Sequence, residues 1–131
     1  MIVYCSRDLI FATKISSTAQ ELGVLTRPAR DRETLLQRLD QVDDGRPNGP
    51  VTAVLMDLEM GDVALEMLHM VKEHDAGTPV IAFGSHVATE LLQAARTAGA
   101  NFVMPRSQFV VQLPTFLTRF GTGQDESPDE P

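Results

Sequence analysis

Short apolar runs alternate along the chain with longer stretches in which apolar residues return every three or four positions, a pattern that predicts strands and amphipathic helices in turn. Ile2 to Cys5 is the first run. After it Ser6 is placed to cap a helix, with Asp8 in the first turn, where the helix dipole favours negative charge. Leu9, Ala12, Ile15, Ala19 and Leu22 give that helix one buried stripe, and Gly23 suits its C-terminal cap. Val24 to Thr26 predicts a second strand stopped by Pro28, and Asp31 can cap a second helix with Leu35, Leu36, Leu39 and Val42 on one face. Asp43 to Pro50 has the turn chemistry of a surface loop.

Val51 to Met56 is apolar almost throughout, as in a central strand of a parallel sheet covered by helices on both faces, and Asp57 stands at its C-terminal end. Ala64, Leu65, Leu68 and Val71 mark a third helix. Pro79 to Phe83 predicts a fourth buried strand, ended by Gly84 and Ser85. Val87, Leu91, Ala94, Ala95 and Ala98 mark a fourth helix closed by Gly99, and Phe102 to Met104 a fifth strand. Ser107 can cap a last helix that turns Phe109, Leu113, Phe116, Leu117 and Phe120 to the core. Pro114, which has no amide donor, is the expected point of a kink or split in it. Five strands alternating with five helices predict an α/β protein with a doubly wound parallel sheet, because parallel neighbours need crossover connections.

The length of 131 residues suits one domain. We assign it to residues 1–120, followed by an acidic tail, 121–131, expected to be disordered. The formal net charge is −7, and Asp125, Glu126, Asp129 and Glu130 in the tail supply four of those charges. An acidic surface repels phosphate backbones and anionic lipid, so the expected partner is a protein, not nucleic acid or a membrane. Cys5 is the single cysteine, which excludes an internal disulfide and a cysteine zinc cluster and fits the reducing cytoplasm. No stretch approaches the roughly 20 apolar residues of a membrane span.

In doubly wound sheets ligands bind beyond the carboxyl ends of the strands. Those ends carry Cys5, Ser6, Arg7 and Asp8, then Asp57 and Glu59, then Gly84 and Ser85, and finally Arg106. With these residues in place, a resemblance is visible. Leu55-Met56-Asp57-Leu58-Glu59-Met60 resembles the segment around the phosphoacceptor aspartate of response-regulator receiver domains, Pro79 to Ser85 their fourth strand, and Gly99 to Arg106 the turn and fifth strand that lead to their lysine. The similarity runs from Met1 to Phe120. It implies the flavodoxin-like strand order 2-1-3-4-5. It also implies phosphoryl transfer from a sensor histidine kinase to Asp57, with Mg²⁺ held by two acids after the first strand, the acceptor, and a backbone carbonyl at Glu59. A hydroxyl residue and a lysine would contact the phosphate.

Several positions depart from that pattern. The acidic pair is replaced by Cys5 and Ser6, or by Ser6 and Arg7 if the alignment slips by one, and Asp8 is the acid that remains nearby. Gly84 falls where the hydroxyl belongs, with Ser85 next to it as the candidate phosphate contact. Arg106 replaces the lysine with a planar fork of different hydrogen-bond geometry. The strand-five aromatic is Val103, beside Phe102. A metal set of Asp8, Asp57 and Glu59 is weak, because Mg²⁺ dehydrates reluctantly and needs concentrated carboxylates. We expect Arg7 or Arg106 to pair with Asp57 and to supply the charge balance that Mg²⁺ would otherwise give.

Asp57 is therefore a phosphoacceptor candidate or simply the residue that caps the turn after its strand, and Ser85 and Ser107 read as helix caps ahead of catalytic hydroxyls. Cys5 has no histidine base in its neighbourhood. The expected protein is an atypical receiver, a pseudo-receiver signalling module and not an enzyme, binding a partner through the fourth helix, fifth strand and fifth helix. The alternatives are a working phosphorelay receiver and a flavodoxin-like small-molecule binder or enzyme. The last is weakened because Cys5-Ser6-Arg7-Asp8 holds no glycine and so no phosphate cradle.

Overall fold

A computed structural model describes residues 1–43, 46–47 and 49–121. The strands are β1 (Ile2–Cys5), β2 (Thr26–Pro28), β3 (Ala53–Asp57), β4 (Val80–Gly84) and β5 (Phe102–Pro105). They form one parallel sheet in the order β2-β1-β3-β4-β5, as the resemblance implied. The helices are α1 (Leu9–Glu21), α2 (Arg32–Leu39), α3 (Asp62–His74), α4 (Thr89–Thr97) and α5 (Arg106–Gly121). A short 3₁₀ turn, Leu58–Met60, follows β3. Val42–Asp43 pairs antiparallel with Arg46–Pro47, so Val42, expected on the buried face of the second helix, lies beyond the end of α2 at Leu39 and is exposed, as is Leu36, and a short ladder enters the stretch from Asp43 expected to be a loop.

Alternation along each strand divides the core in two. Val3, Val54, Met56 and Ala82 pack with residues of α2, α3 and α4 on one face. Ile2, Tyr4, Leu55, Ile81 and Phe83 pack with α1 and α5 on the other. Both faces are dry, which is why these strands read as unbroken apolar runs. The register sets Cys5 opposite Met56, Asp57 opposite Phe83 and Gly84 opposite Pro105, so the carboxyl ends of four strands finish nearly level. Ser6, Asp57, Ser85 and Arg106 are gathered there by backbone pairing alone.

The departures from expectation lie mostly at element ends. Strand β2 runs two residues later than expected and ends with Pro28, opposite Tyr4. An edge strand tolerates a missing amide. The cap of α1 is Asp8, not Ser6: its backbone is extended and its Oδ1 accepts the Phe11 amide at 3.0 Å. The buried stripe of α1 is Phe11, Ile15 and Ala19, while Leu9 and Leu22 are exposed. Val87 precedes α4 and is exposed. Ser107 lies in the first turn of α5, which starts at Arg106, and α5 continues unbroken through the exposed Pro114. Gly121 belongs to that helix and is buried against Val24, where a Cβ would overlap Val24 Cγ1. The rest of the expected tail, residues 122–131, lies outside the described residues.

Candidate functional site

Asp57 closes β3 and is 1% exposed, so its carboxylate must find every partner within the protein. Four contacts meet it. Ser6 Oγ donates to Oδ2 at 2.7 Å and the Glu59 amide donates to Oδ1 at 2.9 Å. Arg106 Nη2 donates to both oxygens, at 3.2 and 3.0 Å. The Glu59 bond is local, because Asp57 caps the 3₁₀ turn Leu58–Met60. The capping and pairing roles weighed from sequence therefore coexist in one residue.

Of the two arginines expected at Asp57, the structure places Arg106 there. Its Nη1 also reaches Asp8 Oδ2 at 3.3 Å, so one guanidinium bridges two carboxylates from different strand ends. Phe11 supports it from below, with the guanidinium carbon 4.4 Å from the ring centroid, a favourable cation–π geometry. Phe11 in turn packs on Phe83 at 5.2 Å and Phe109 at 5.9 Å, and those two rings stack at 4.0 Å. Arg7 faces the same cleft, but its Nε donates to the Arg30 carbonyl at 3.2 Å.

Asp8 carries three duties: helix cap, partner of Arg106, and donor to Ser6, whose Oγ accepts the Asp8 amide at 3.3 Å. The Phe11 amide first, and the Arg106 side chain after it, hold the Asp8 carboxyl below the usual aspartate range. Cys5 is wholly buried, and burial pushes its thiol up, which suits an inert core residue.

Arg7, Asp8, Asp57, Glu59, Met60 and Arg106 line a cleft of about 310 Å³. Ser85 stands outside that lining. Its amide donates to Glu59 Oε2 at 3.2 Å and its Oγ accepts the Val87 amide at 3.3 Å, the bonds of a turn residue. A Cβ built on Gly84 would stand 3.2 Å from Leu58 Cβ and 3.7 Å from Leu58 Cδ1. Leu58 is fully buried, so apolar bulk lies where a hydroxyl-bearing side chain would need to rise.

The residues present do not fit the Mg²⁺ ion that the resemblance implies. Ser6 supplies a donor where a cation needs a charged acceptor, and both Asp57 oxygens already accept hydrogen bonds. Asp8, Asp57 and Glu59 share the cleft, but the guanidinium lies between the first two and the third is turned to Ser85. Among the described residues no group of three His, Cys, Asp or Glu side chains is placed to hold a metal.

Phe11 and Leu58 shape this site without having been singled out from sequence. Phe11 falls outside the stripe that begins at Leu9, and Leu58 follows Asp57 as an ordinary apolar residue. Neither carries a chemical signal until the fold brings it under Arg106 or Gly84.

No protein-family model matches the sequence, and no curated protein does either. The fold, however, is that of response-regulator receiver domains. The receiver domain of NtrX from Brucella abortus superposes with a TM-score of 0.73 at 18% identity, over 91% of this chain and 96% of that one. A CheY-like response-regulator receiver protein from Methanospirillum hungatei gives 0.73 at 14% identity, with 95% of both chains covered. The BeF₃-activated DrrB receiver domain gives 0.69 at 22% identity, over 91% of this chain and 94% of that one. Among the described residues no helix is long and apolar enough to cross a membrane.

Proposed function

We propose that the chain is an atypical receiver-type signalling module of the cytoplasm that acts by binding a protein partner and does not use Mg²⁺-dependent phosphorylation of Asp57. One observation carries the proposal: in a receiver fold, the carboxylate at the acceptor position has both oxygens engaged by Ser6, the Glu59 amide and Arg106. An acceptor must present a free oxygen to an incoming phosphoryl group, in line with its leaving group and beside a cation that neutralises developing charge. Here that oxygen would first have to leave a guanidinium and a hydroxyl. The output is carried by α4, β5 and α5, where Val87 ahead of α4 and Val111 on α5 are exposed apolar side chains.

The test is an amide NMR titration with Mg²⁺ and then fluoroberyllate, a mimic of the aspartyl phosphoryl group, beside Asp57→Asn. Silence from the folded protein is the expected outcome. Saturable shifts around Asp57 and Arg106 that vanish in the variant would establish a working phosphorelay receiver instead.

A further inference from the structure

We infer that the amino end of the sheet holds a binding pocket for a small molecule with an apolar body and one carboxylate, the carboxylate on the Met1 ammonium and the body against Leu25 and Pro50. The pocket lies at the opposite end of the strands from Asp57, so the inference goes beyond the signalling reading and stands without it. Three strands begin around it: Met1 precedes β1, Leu25 precedes β2 and Thr52 precedes β3. Gly23 beyond α1, Gly121 at the end of α5, and the Gly49-Pro50 segment ahead of β3 complete the wall.

The cavity exists because side chains are missing there. It measures about 340 Å³, within the size range of small-molecule sites. Gly23 has φ +71°, a conformation that favours glycine, and a Cβ built on it or on Gly49 meets no heavy atom within 4 Å. Leu25, also in the wall, is a large apolar side chain left 62% exposed.

The polar groups decide what could fill it. Met1 is buried, and its ammonium donates to the Pro50 carbonyl at 2.7 Å. An ammonium has three donors, and among the described residues the other two meet no acceptor. Burial draws the group below the ordinary α-amino range, the mark of a cation that has lost hydration without gaining a counter-charge. Thr52 lines the same pocket, and its Oγ1 is buried with no hydrogen-bond partner among the described residues. A carboxylate would return both charge and acceptors to the ammonium. Sugars and nucleotides need many more donors and acceptors than these walls of Met1, Leu25 and Pro50 provide.

The experiment titrates the full chain with octanoate and, in parallel, with octanol, which has the same apolar length without the charge. Amide NMR reads both. Octanoate should give saturable shifts at Gly23, Gly49, Thr52 and Gly121. It should bind at least about tenfold more tightly than octanol, the gain of one hydrogen bond to a charged group. Gly49→Leu projects into space that no neighbour occupies, so it should fold as wild type does and lose those shifts. Gly49→Val, a smaller plug, is read in the same way where the leucine variant does not fold.

Folded wild type without saturable shifts would overturn the inference. Shifts confined to the exposed Leu9 and Ile10 of α1 would do the same, because they would report adhesion to a different surface. Equal affinity for octanoate and octanol would remove the role of the Met1 ammonium and with it the ligand class. Octanoate binding that survives in a folded Gly49 variant would place the site elsewhere.

Discussion

Ser6 shows how far one hydroxyl can reach. Its Oγ is within 2.7 Å of Asp57 Oδ2, and the residue is 2% exposed. Hydrogen bonds to charged groups contribute about 1.5–3 kcal/mol, so Ser6→Ala should lower stability by about that much, measured by urea unfolding. Gly84 is the opposite case, a residue defined by what it leaves room for. Gly84→Thr would press Leu58 at a spacing few real Cβ atoms tolerate and should destabilise by about 1–3 kcal/mol. Pairing it with Leu58→Ala should recover part of that loss, and a purely additive double variant would show that Leu58 is not the obstacle. The strand-end rule made Asp57, Arg106 and Ser6 legible as neighbours. It could not distinguish Ser6 as a cap from Ser6 as a donor to Asp57, since both roles use the same oxygen and depend on where α1 begins.

That start is decided by Asp8, whose side chain caps the helix two residues beyond the expected position. Ser6 and Asp8 are both good caps, and composition does not rank them in place. The consequence runs through α1: Leu9, Ile10, Phe11 and Ala12 are all apolar, so a small change of phase exchanges Leu9 for Phe11 on the buried side. Central strands were easier to read, because burial on both faces leaves little phase to mistake.

The cap also titrates. With its carboxyl held below the ordinary range by the Phe11 amide and then Arg106, Asp8 contributes stability fully present above the unfolded value near 3.9. The contribution is lost as pH falls through the lower folded value. Asp8→Asn keeps an oxygen for the Phe11 amide but cannot titrate there. Its stability should fall less steeply below about pH 4 than that of wild type, followed by urea midpoints across the acid range. At the other end of the α layer, Gly121→Ala should destabilise by about 1–3 kcal/mol through overpacking against Val24. A neutral result would mean that the last turn of α5 moves aside freely.

Across the whole molecule, polar ties sit at both ends of the sheet. Arg106 and Ser6 join β1, β3 and β5 at their carboxyl ends. At the amino ends Lys72 donates to the Thr78 carbonyl and to Asn101 Oδ1, both at 2.8 Å, and Asn101 Oδ1 also accepts the Val80 amide. Burial draws the Lys72 ammonium below its ordinary range, and its bonds to the chain ahead of β4 and β5 offset that loss of hydration. Strand β4 separates the two ties by four residue steps, about 13 Å at ~3.3 Å per step. Sites that far apart with no shared partner act independently. Lys72→Met and Ser6→Ala should therefore destabilise additively, the double variant matching the sum of the singles within about 0.5 kcal/mol in urea unfolding. A receiver that switches must carry a change at its strand ends to a distant face, and such transmission would appear as coupling between these ties. Additivity would fit a pocket set in one state, and an interaction energy well above 0.5 kcal/mol would instead mean that the sheet still relays the condition of the Asp57 site.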